Sequence, residues 1–237
     1  MNKIKLSIAL MMGIFFSNFS GINAQENPDW PNLAFYQKQN AEAGLPAKGT
    51  TRVVFMGNSI TQGWIDTHPD FFKNNPYLDR GISGQTTPQM LIRFRQDVIE
   101  LKPTVVVILA GTNDIAGNTG PSTLEMIMNN LASMAELANA NDIKVVLCSV
   151  LPAFDYPWKH GMEPNIKIPK LNEMIKAYST EKGFVYLDYF SAMSDEKNGM
   201  IAEYTYDGVH CTSKGYDVME SMVVPAIQQA LKSEPAK

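Results

Sequence analysis

Residues 104–110 (TVVVILA) restrict the fold more than any other segment of the chain. Six apolar residues follow Thr104 without a single charged position. A strand with no alternating polar residues must be covered on both faces, which is typical of a parallel sheet packed between helices. Four further apolar runs also read as strands, at residues 52–57, 77–82, 143–150 and 184–188.

Helical patterns separate these runs. They span residues 88–101, 121–141 and 166–182, and a last helix, capped by Thr212 or Ser213, extends to about residue 231. Alternating strands and helices predict the α/β class, with right-handed crossovers and helices on both faces of the sheet. We therefore expect a three-layer α/β/α sandwich around a flavodoxin-like, five-stranded parallel sheet. A chain of 237 residues suits one such domain, which we assign to residues 51–232.

The first 24 residues have the layout of a signal peptide. Lys3 and Lys5 precede an apolar stretch at residues 6–16, and Ala24 ends a small-residue cleavage site. The alternative is a short membrane anchor, but this stretch is too short to span a bilayer comfortably. We expect an exported protein, periplasmic or secreted, without stable membrane insertion. Residues 25–50 are polar and contain Pro and Gly, which predicts a linker or N-terminal extension with an amphipathic stretch at about residues 33–43.

Charge and cysteine content exclude several functions. The chain has 20 Lys and Arg against 24 Asp and Glu and no basic run, which is a poor basis for binding nucleic acid. CxxC, HExxH and EF-hand patterns are absent from the sequence, so we predict neither a metal nor another cofactor. Cys148 lies in an apolar run, and Cys211 is the other cysteine. Export would permit a disulfide between them, but their spacing does not establish one.

Small polar residues follow several predicted strands. The segments are residues 57–61 (GNSIT), 80–84 (RGISG) and 111–114 (GTND), and residues 207–210 (DGVH) come after the last strand. Ligand sites in parallel sheets lie beyond the carboxyl ends of the strands. These four segments therefore predict an active site at one edge of the sheet.

Together the four segments resemble those of the SGNH hydrolases, also called the GDSL esterase and lipase family. The matching residues are Ser59, Gly84, Asn113 and His210, and the resemblance covers residues 53–216. It implies an acylhydrolase that works through an acyl-enzyme and needs no cofactor. Two positions depart from the family pattern. Asn58 stands where the family usually has Asp, and Cys211 stands where many members have Pro, which predicts a less rigid histidine loop and a thiol near the site.

Each residue type suits a step of ester hydrolysis. A serine hydroxyl needs a base to take its proton, and an imidazole held by a carboxylate is such a base. We therefore predict a catalytic triad of Ser59, His210 and Asp207. The resemblance assigns the oxyanion hole to the backbone N–H groups of Ser59 and Gly84 and to the side-chain amide of Asn113. Asp114 is interpreted as structural.

Aromatic residues near these segments suggest a substrate pocket. Trp64, Tyr156 and Trp158 are the candidates, and the alternative is that they pack a loop onto the domain. No long apolar lid flanks the triad, so the predicted substrates are small acyl esters, mainly acetyl, including O-acetyl groups of glycans. The alternatives are a lysophospholipase or short-chain lipid acylhydrolase, an acyltransferase, and a non-catalytic carbohydrate-binding protein. His68 and His160 are predicted to be solvated or to face the substrate.

Overall fold

A parallel five-stranded sheet lies at the centre of residues 29–233, the part of the chain that the computed structural model describes. Its strands are β1 (Val53–Gly57), β2 (Tyr77–Gly81), β3 (Val105–Leu109), β4 (Lys144–Cys148) and β5 (Val185–Leu187), in the order β2-β1-β3-β4-β5. All four neighbouring pairs are parallel. The predicted fold class and strand number are confirmed. The predicted signal peptide lies outside the described residues.

Helices cover both faces of the sheet. They are α1 (Gln37–Ala43), α2 (Ser59–Thr67), α3 (Pro69–Lys73), α4 (Thr87–Asp97), α5 (Thr112–Ile115), α6 (Leu124–Asn139), α7 (Pro164–Lys182), α8 (Tyr189–Met193) and α9 (Ser213–Lys232). Short 3₁₀ helices occur at Ile99–Leu101 and Ala202–Tyr204. Within residues 29–233, no helix has both the length and the apolar character needed to span a membrane.

The apolar residues of the central strands point alternately into two separate cores. Val54 and Met56 pack with α4, α6 and α7, whereas Val53 and Phe55 pack with α2 and α9 on the opposite face. All five residues of β3 are buried in the same alternating way. This explains why residues 104–110 contain no position for a charged side chain.

Two helix boundaries differ from the predictions by three residues or more. The helix predicted for residues 121–141 begins at Leu124, because the Thr123 side chain caps it by accepting a hydrogen bond from the Met126 N–H. The helix predicted for residues 88–101 ends at Asp97, and a 3₁₀ turn follows. Helices α2 and α3 had no counterpart in the sequence analysis.

The segment predicted as a linker is bound to the domain over its described part, residues 29–50. It contains α1, and the Tyr36 hydroxyl donates a hydrogen bond to the Gly81 carbonyl at the end of β2. Gln89 and Gln96 of α4 donate side-chain hydrogen bonds to backbone carbonyls of this segment, at 2.7 and 2.6 Å. Over its described part, this segment is docked on the domain, as the extension reading of residues 25–50 would have it.

Candidate active site

Ser59 is placed at the carboxyl edge of the sheet by the junction of β1 and α2. Asn58 separates the strand from the helix, and its side-chain oxygen accepts a hydrogen bond from the Ile60 N–H at 3.0 Å. Asn and Asp cap helices about equally well, which accounts for Asn58 at a position where Asp is usual. Ser59 is the first residue of α2. Its backbone N–H is therefore one of the N-terminal groups that have no hydrogen-bond acceptor within the helix.

A chain of hydrogen bonds joins Ser59, His210 and Asp207. The Ser59 Oγ lies 2.9 Å from His210 Nε2, and His210 Nδ1 lies 2.7 Å from Asp207 Oδ2. Asp207 Oδ1 accepts hydrogen bonds from the backbone N–H groups of Val209 and His210, at 2.9 and 2.7 Å. The structure thus brings the three predicted triad residues together in an arrangement that allows an imidazole to remove the serine proton.

Asp207 is stabilised in its charged form. Partial burial alone would raise the pKa of its carboxyl group, but the hydrogen bonds from the His210 backbone and side chain and from the Val209 backbone outweigh this effect. The pKa of Asp207 is consequently lower than its ordinary value. The carboxylate is therefore ionised at neutral pH.

The loop that carries His210 is held by Thr205. The Thr205 hydroxyl donates to the His210 carbonyl at 2.8 Å and accepts from the Gly208 N–H at 2.9 Å. Gly208 has a φ of 89°, which a residue with a side chain rarely adopts. These contacts restrain the loop in the absence of a proline at position 211.

The Cys211 thiol does not face the site. It is buried and lies 3.7 Å from the Met219 sulfur, and burial raises its pKa to about 12. Cys148 is also buried, and both cysteines are free thiols.

Asn113 and Gly84 lie on adjacent loops at the same edge of the sheet. Asn113 is in the first turn of α5, and its side-chain amide donates a hydrogen bond to the Gln85 carbonyl at 3.0 Å. Gly84 is exposed and has a φ of 77°. Gly111, which leads into α5, has a φ of 127°, and a Cβ there would lie 3.0 Å from Leu171. Gly84 and Asn113 thus lie on segments whose backbone shape depends on glycine.

Asp114 supports this edge of the sheet. Its buried carboxylate accepts hydrogen bonds from the Thr87 backbone N–H at 3.0 Å and from the Thr87 hydroxyl at 2.6 Å. Burial raises its pKa to about 6, partly offset by these bonds. The interpretation of Asp114 as structural agrees with this geometry.

The three aromatic pocket candidates occupy different environments. Trp158 is 43% exposed, and its ring centre lies 5.9 Å from that of His210. Tyr156 is buried beneath it, with ring centres 5.1 Å apart, and its hydroxyl forms a 2.9 Å hydrogen bond with Thr112. Tyr156 therefore supports Trp158 from below.

Trp64 does not line a pocket. It is 1% exposed, stacks on Phe71 with ring centres 5.3 Å apart, and donates its indole N–H to Glu220 at 3.0 Å. The expectation that Trp64 contacts substrate is therefore corrected. The expectation for His68 is also wrong, because its ring is held between Glu220 and Ser213. His160 is exposed and forms a hydrogen bond with Asp155.

Tyr206 is an aromatic neighbour of the site that the sequence analysis missed. It is 71% exposed, and its ring is nearly parallel to that of His210, with centres 5.8 Å apart and planes 14° apart. Its position directly before Asp207 was the available signal. A cleft of about 280 Å³ adjoins Asp207, and its lining includes Phe154, Asp155, Asp195 and Met200. Among residues 29–233, no group of three potential metal-ligating side chains occurs.

A parallel α/β fold that joins Ser, His and Asp by hydrogen bonds at its carboxyl edge is typical of a serine carboxylic ester hydrolase. Residues 55–218 match the model of the GDSL-like lipase/acylhydrolase family, and the chain belongs to this family. The resemblance to the SGNH hydrolases is thereby confirmed.

Several known proteins are similar to this chain. The crystal structure of a GDSL-like lipase from Bacteroides thetaiotaomicron is 50% identical, with a TM-score of 0.82, and covers 84% of this chain and 98% of its own. The human isoamyl acetate-hydrolyzing esterase 1 homolog is 27% identical over 78% of this chain and 84% of its own length. The acetylxylan esterase of Xylanibacter ruminicola is 26% identical over 77% of this chain, which spans only 44% of that protein.

Proposed function

We propose that this protein is a serine esterase that hydrolyses small acyl esters, chiefly acetyl esters, with O-acetylated glycans as the natural substrate class. The observation that carries the proposal is the hydrogen-bond chain from Ser59 Oγ through His210 to Asp207. The names of two relatives, an isoamyl acetate-hydrolyzing esterase homolog and an acetylxylan esterase, support acetyl as the acyl group.

The proposed reaction has two halves. His210 Nε2 takes the proton of Ser59, whose oxygen attacks the ester carbonyl and forms a tetrahedral intermediate. The backbone N–H groups of Ser59 and Gly84 and the amide of Asn113 donate to the oxyanion. His210 then gives its proton to the departing alcohol, leaving an acetyl-enzyme. In the second half, His210 activates a water molecule that releases acetate and regenerates Ser59.

The surroundings of His210 favour a sugar ring on the alcohol side of the ester. The departing alcohol must lie next to His210 Nε2, because it receives its proton there. The exposed rings of Trp158 and Tyr206 flank this imidazole, at 5.9 and 5.8 Å between ring centres. Exposed aromatic faces provide apolar contact to the C–H face of a sugar while leaving its hydroxyl groups solvated.

Replacement of Trp158 by alanine is expected to raise KM for acetylated xylo-oligosaccharides roughly two- to tenfold, if the contact of the ring with a sugar matches the roughly 0.5–1.5 kcal/mol of an aromatic pair. The kinetics with p-nitrophenyl acetate, which offers no sugar ring, should change little. The matched control is Trp30→Ala, since Trp30 is also exposed but lies on the N-terminal extension. An equal effect of Trp158→Ala on both substrates would contradict a sugar-binding role.

The substrate class is tested by measuring acetate release from acetylated xylan, pectin and sialic acid, alongside rates with p-nitrophenyl acetate, butyrate and octanoate. The proposal predicts acetate release from at least one glycan and the fastest rate with the acetate ester. Much faster cleavage of butyrate or octanoate, with no acetate released from any glycan, would contradict it. Hydrolysis of lysophospholipids in that case would support the lipid alternative. Transfer of the acetyl group to an added sugar would identify an acyltransferase.

We also propose that residues 1–24 direct export and are then removed, since Lys3, Lys5 and the following apolar stretch have the layout of a signal peptide. The test is the intact mass of the protein recovered from the periplasm or medium. A mature protein that begins at Gln25 is expected, and full-length protein confined to the cytoplasm would contradict export.

A further inference from the structure

Two consecutive carbonyl groups of the loop that contains Gly84 are held by asparagine side chains. Asn118 Nδ2 donates to the Gly84 carbonyl at 3.2 Å, and Asn113 Nδ2 donates to the Gln85 carbonyl at 3.0 Å. Both asparagines come from the segment that follows β3. They are also joined directly, because the Asn118 backbone N–H donates to the Asn113 carbonyl at 3.0 Å. Asn118 therefore contacts both loops that carry the proposed oxyanion donors.

The same loop is held from its other side by α2. Gln62 Oε1 accepts hydrogen bonds from the Ser83 backbone N–H at 2.8 Å and from the Ser83 hydroxyl at 2.9 Å. The Gly84 N–H belongs to the peptide group between Ser83 and Gly84. The preceding peptide group is held by Gln62 through the Ser83 N–H, and the following one is held by Asn118 through the Gly84 carbonyl. The direction of the Gly84 N–H is thus determined by its two neighbours.

The next residue of the loop is connected to the strand that carries the nucleophile. Gln85 Oε1 accepts a hydrogen bond from Arg93 Nε at 2.6 Å, and Arg93 Nη2 donates to the Gly57 carbonyl at 3.1 Å. Arg93 is fully buried and paired with Asp97. The base of the loop is therefore held by buried hydrogen bonds, whereas Gly84 at its tip is exposed and has the backbone freedom of glycine. At the tip, Asn118 supplies a restraint that the core does not.

We propose that Asn118 is a positioning residue of the oxyanion hole, which fixes the Gly84 peptide relative to Asn113 without touching the substrate. This inference rests on the proposed function. An oxyanion hole accelerates a reaction because its donors are already in place before charge develops. Loss of the Asn118 side chain removes one of the two hydrogen bonds on the Gly84–Gln85 peptide. Only the weaker bond from the Gln85 N–H to the Ile82 carbonyl, at 3.3 Å, then remains, and the Gly84 N–H can move away from the oxyanion position.

The test compares Asn118→Ala and Asn118→Asp with wild type, using p-nitrophenyl acetate. We expect kcat to fall about tenfold in Asn118→Ala, a fraction of the roughly 100-fold cost of a 1 Å misplacement. Asn118→Asp keeps the side-chain size but turns a carboxylate oxygen toward the Gly84 carbonyl, so kcat should fall at least as far. KM and Tm should change little, because Asn118 is exposed. The matched control is Asn75→Ala, since exposed Asn75 likewise donates to a backbone carbonyl, that of Phe71.

A trifluoromethyl ketone provides a readout that a general structural role would not change. Its adduct with a serine places an anionic oxygen in the oxyanion hole, so its Ki should rise in both Asn118 variants by the same factor as kcat falls. When Asn113 is already replaced by alanine, Asn118→Ala should lower kcat by a smaller factor than it does in the wild type, since the two residues act on one oxyanion.

Three outcomes would overturn this inference: unchanged kcat in Asn118→Asp, a Ki that stays constant while kcat falls, or fully additive losses with Asn113→Ala. Each leaves the proposed function standing, provided that Ser59→Ala and Asn113→Ala lose activity. Full activity in those two variants would instead contradict the proposed function itself.

Discussion

Replacement of Ser59 by alanine is expected to lower kcat for p-nitrophenyl acetate by about 10⁶-fold, the scale on which loss of a serine nucleophile acts in a triad. Alanine removes the oxygen that forms the acyl-enzyme and leaves His210 without its partner at 2.9 Å. The fold should not suffer, because the Ser59 side chain is only half-buried and Asn58 caps α2 independently of it. Steady-state kinetics and a thermal unfolding curve measure the two effects.

The matched control for this variant is Ser133→Ala on α6. The Ser133 hydroxyl donates to the Asn129 carbonyl within its own helix, away from the sheet edge that carries Ser59. We expect wild-type kcat in the control. A Ser59→Ala protein that unfolds at the wild-type Tm and still hydrolyses the ester at more than about a hundredth of the wild-type rate would be incompatible with a serine mechanism, given the expected 10⁶-fold loss.

The second large effect is expected from Asp207→Asn, which should lower kcat by about 10⁴-fold. The asparagine oxygen still accepts from the Val209 and His210 backbone N–H groups, so the turn is preserved. The new amide N–H, however, faces His210 Nδ1 and makes that nitrogen an acceptor. The ring proton then resides on Nε2, which can no longer take the proton of Ser59.

The pH dependence of stability separates this effect from loss of the loop. The folded-state pKa of Asp207 is below its ordinary value, so the charged carboxylate stabilises the fold above about pH 4, and this contribution is lost as the pH falls through the folded-state pKa. Asp207→Asn should abolish the loss of stability that the wild type shows as Asp207 is protonated at acid pH. Its activity should be low at every pH. Recovery of wild-type kcat at any pH would show that the carboxylate does not orient His210.

The strands of the sheet could be predicted because most of the hydrophobic runs are distinct, the run at residues 77–82 being weaker. The order of the strands is not contained in these runs and was expected only from the flavodoxin-like fold class. β3 is buried on both faces and its sequence shows this directly. The polar segments after the strands were recognisable for a related reason, since the carboxyl ends of parallel strands meet at one edge. The predicted proximity of Ser59, His210 and Asp207 followed from those two facts and from the resemblance.

The role of individual tryptophans could not be predicted in the same way. Trp64 and Trp158 are the same residue type close to predicted site segments, yet one lies in the core and the other at the surface. The difference depends on α2, in which Ile60 and Trp64 are four residues apart and share the buried face. Because α2 was not predicted, this spacing was not used.

Hydrogen bonds from side chains to backbone carbonyls also could not be predicted from the sequence. Gln89 and Gln96 bind the N-terminal extension through its main chain, so the side chains of that segment carry no signal for docking. The Asn118 contact to the Gly84 carbonyl is of the same kind. Such interactions depend on the path of two chain segments rather than on a pair of residue types, and only the folded structure reveals them.

The most direct test of a serine nucleophile is the mass of the protein after reaction with a fluorophosphonate. Wild type should gain one adduct per chain, located by peptide mapping on Ser59. His210→Ala should react far more slowly, because the hydroxyl is no longer activated, and Ser59→Ala should not react at all. Failure of the wild type to react, or labelling of another residue in Ser59→Ala at the wild-type rate, would contradict the account and favour a non-catalytic protein on the same fold.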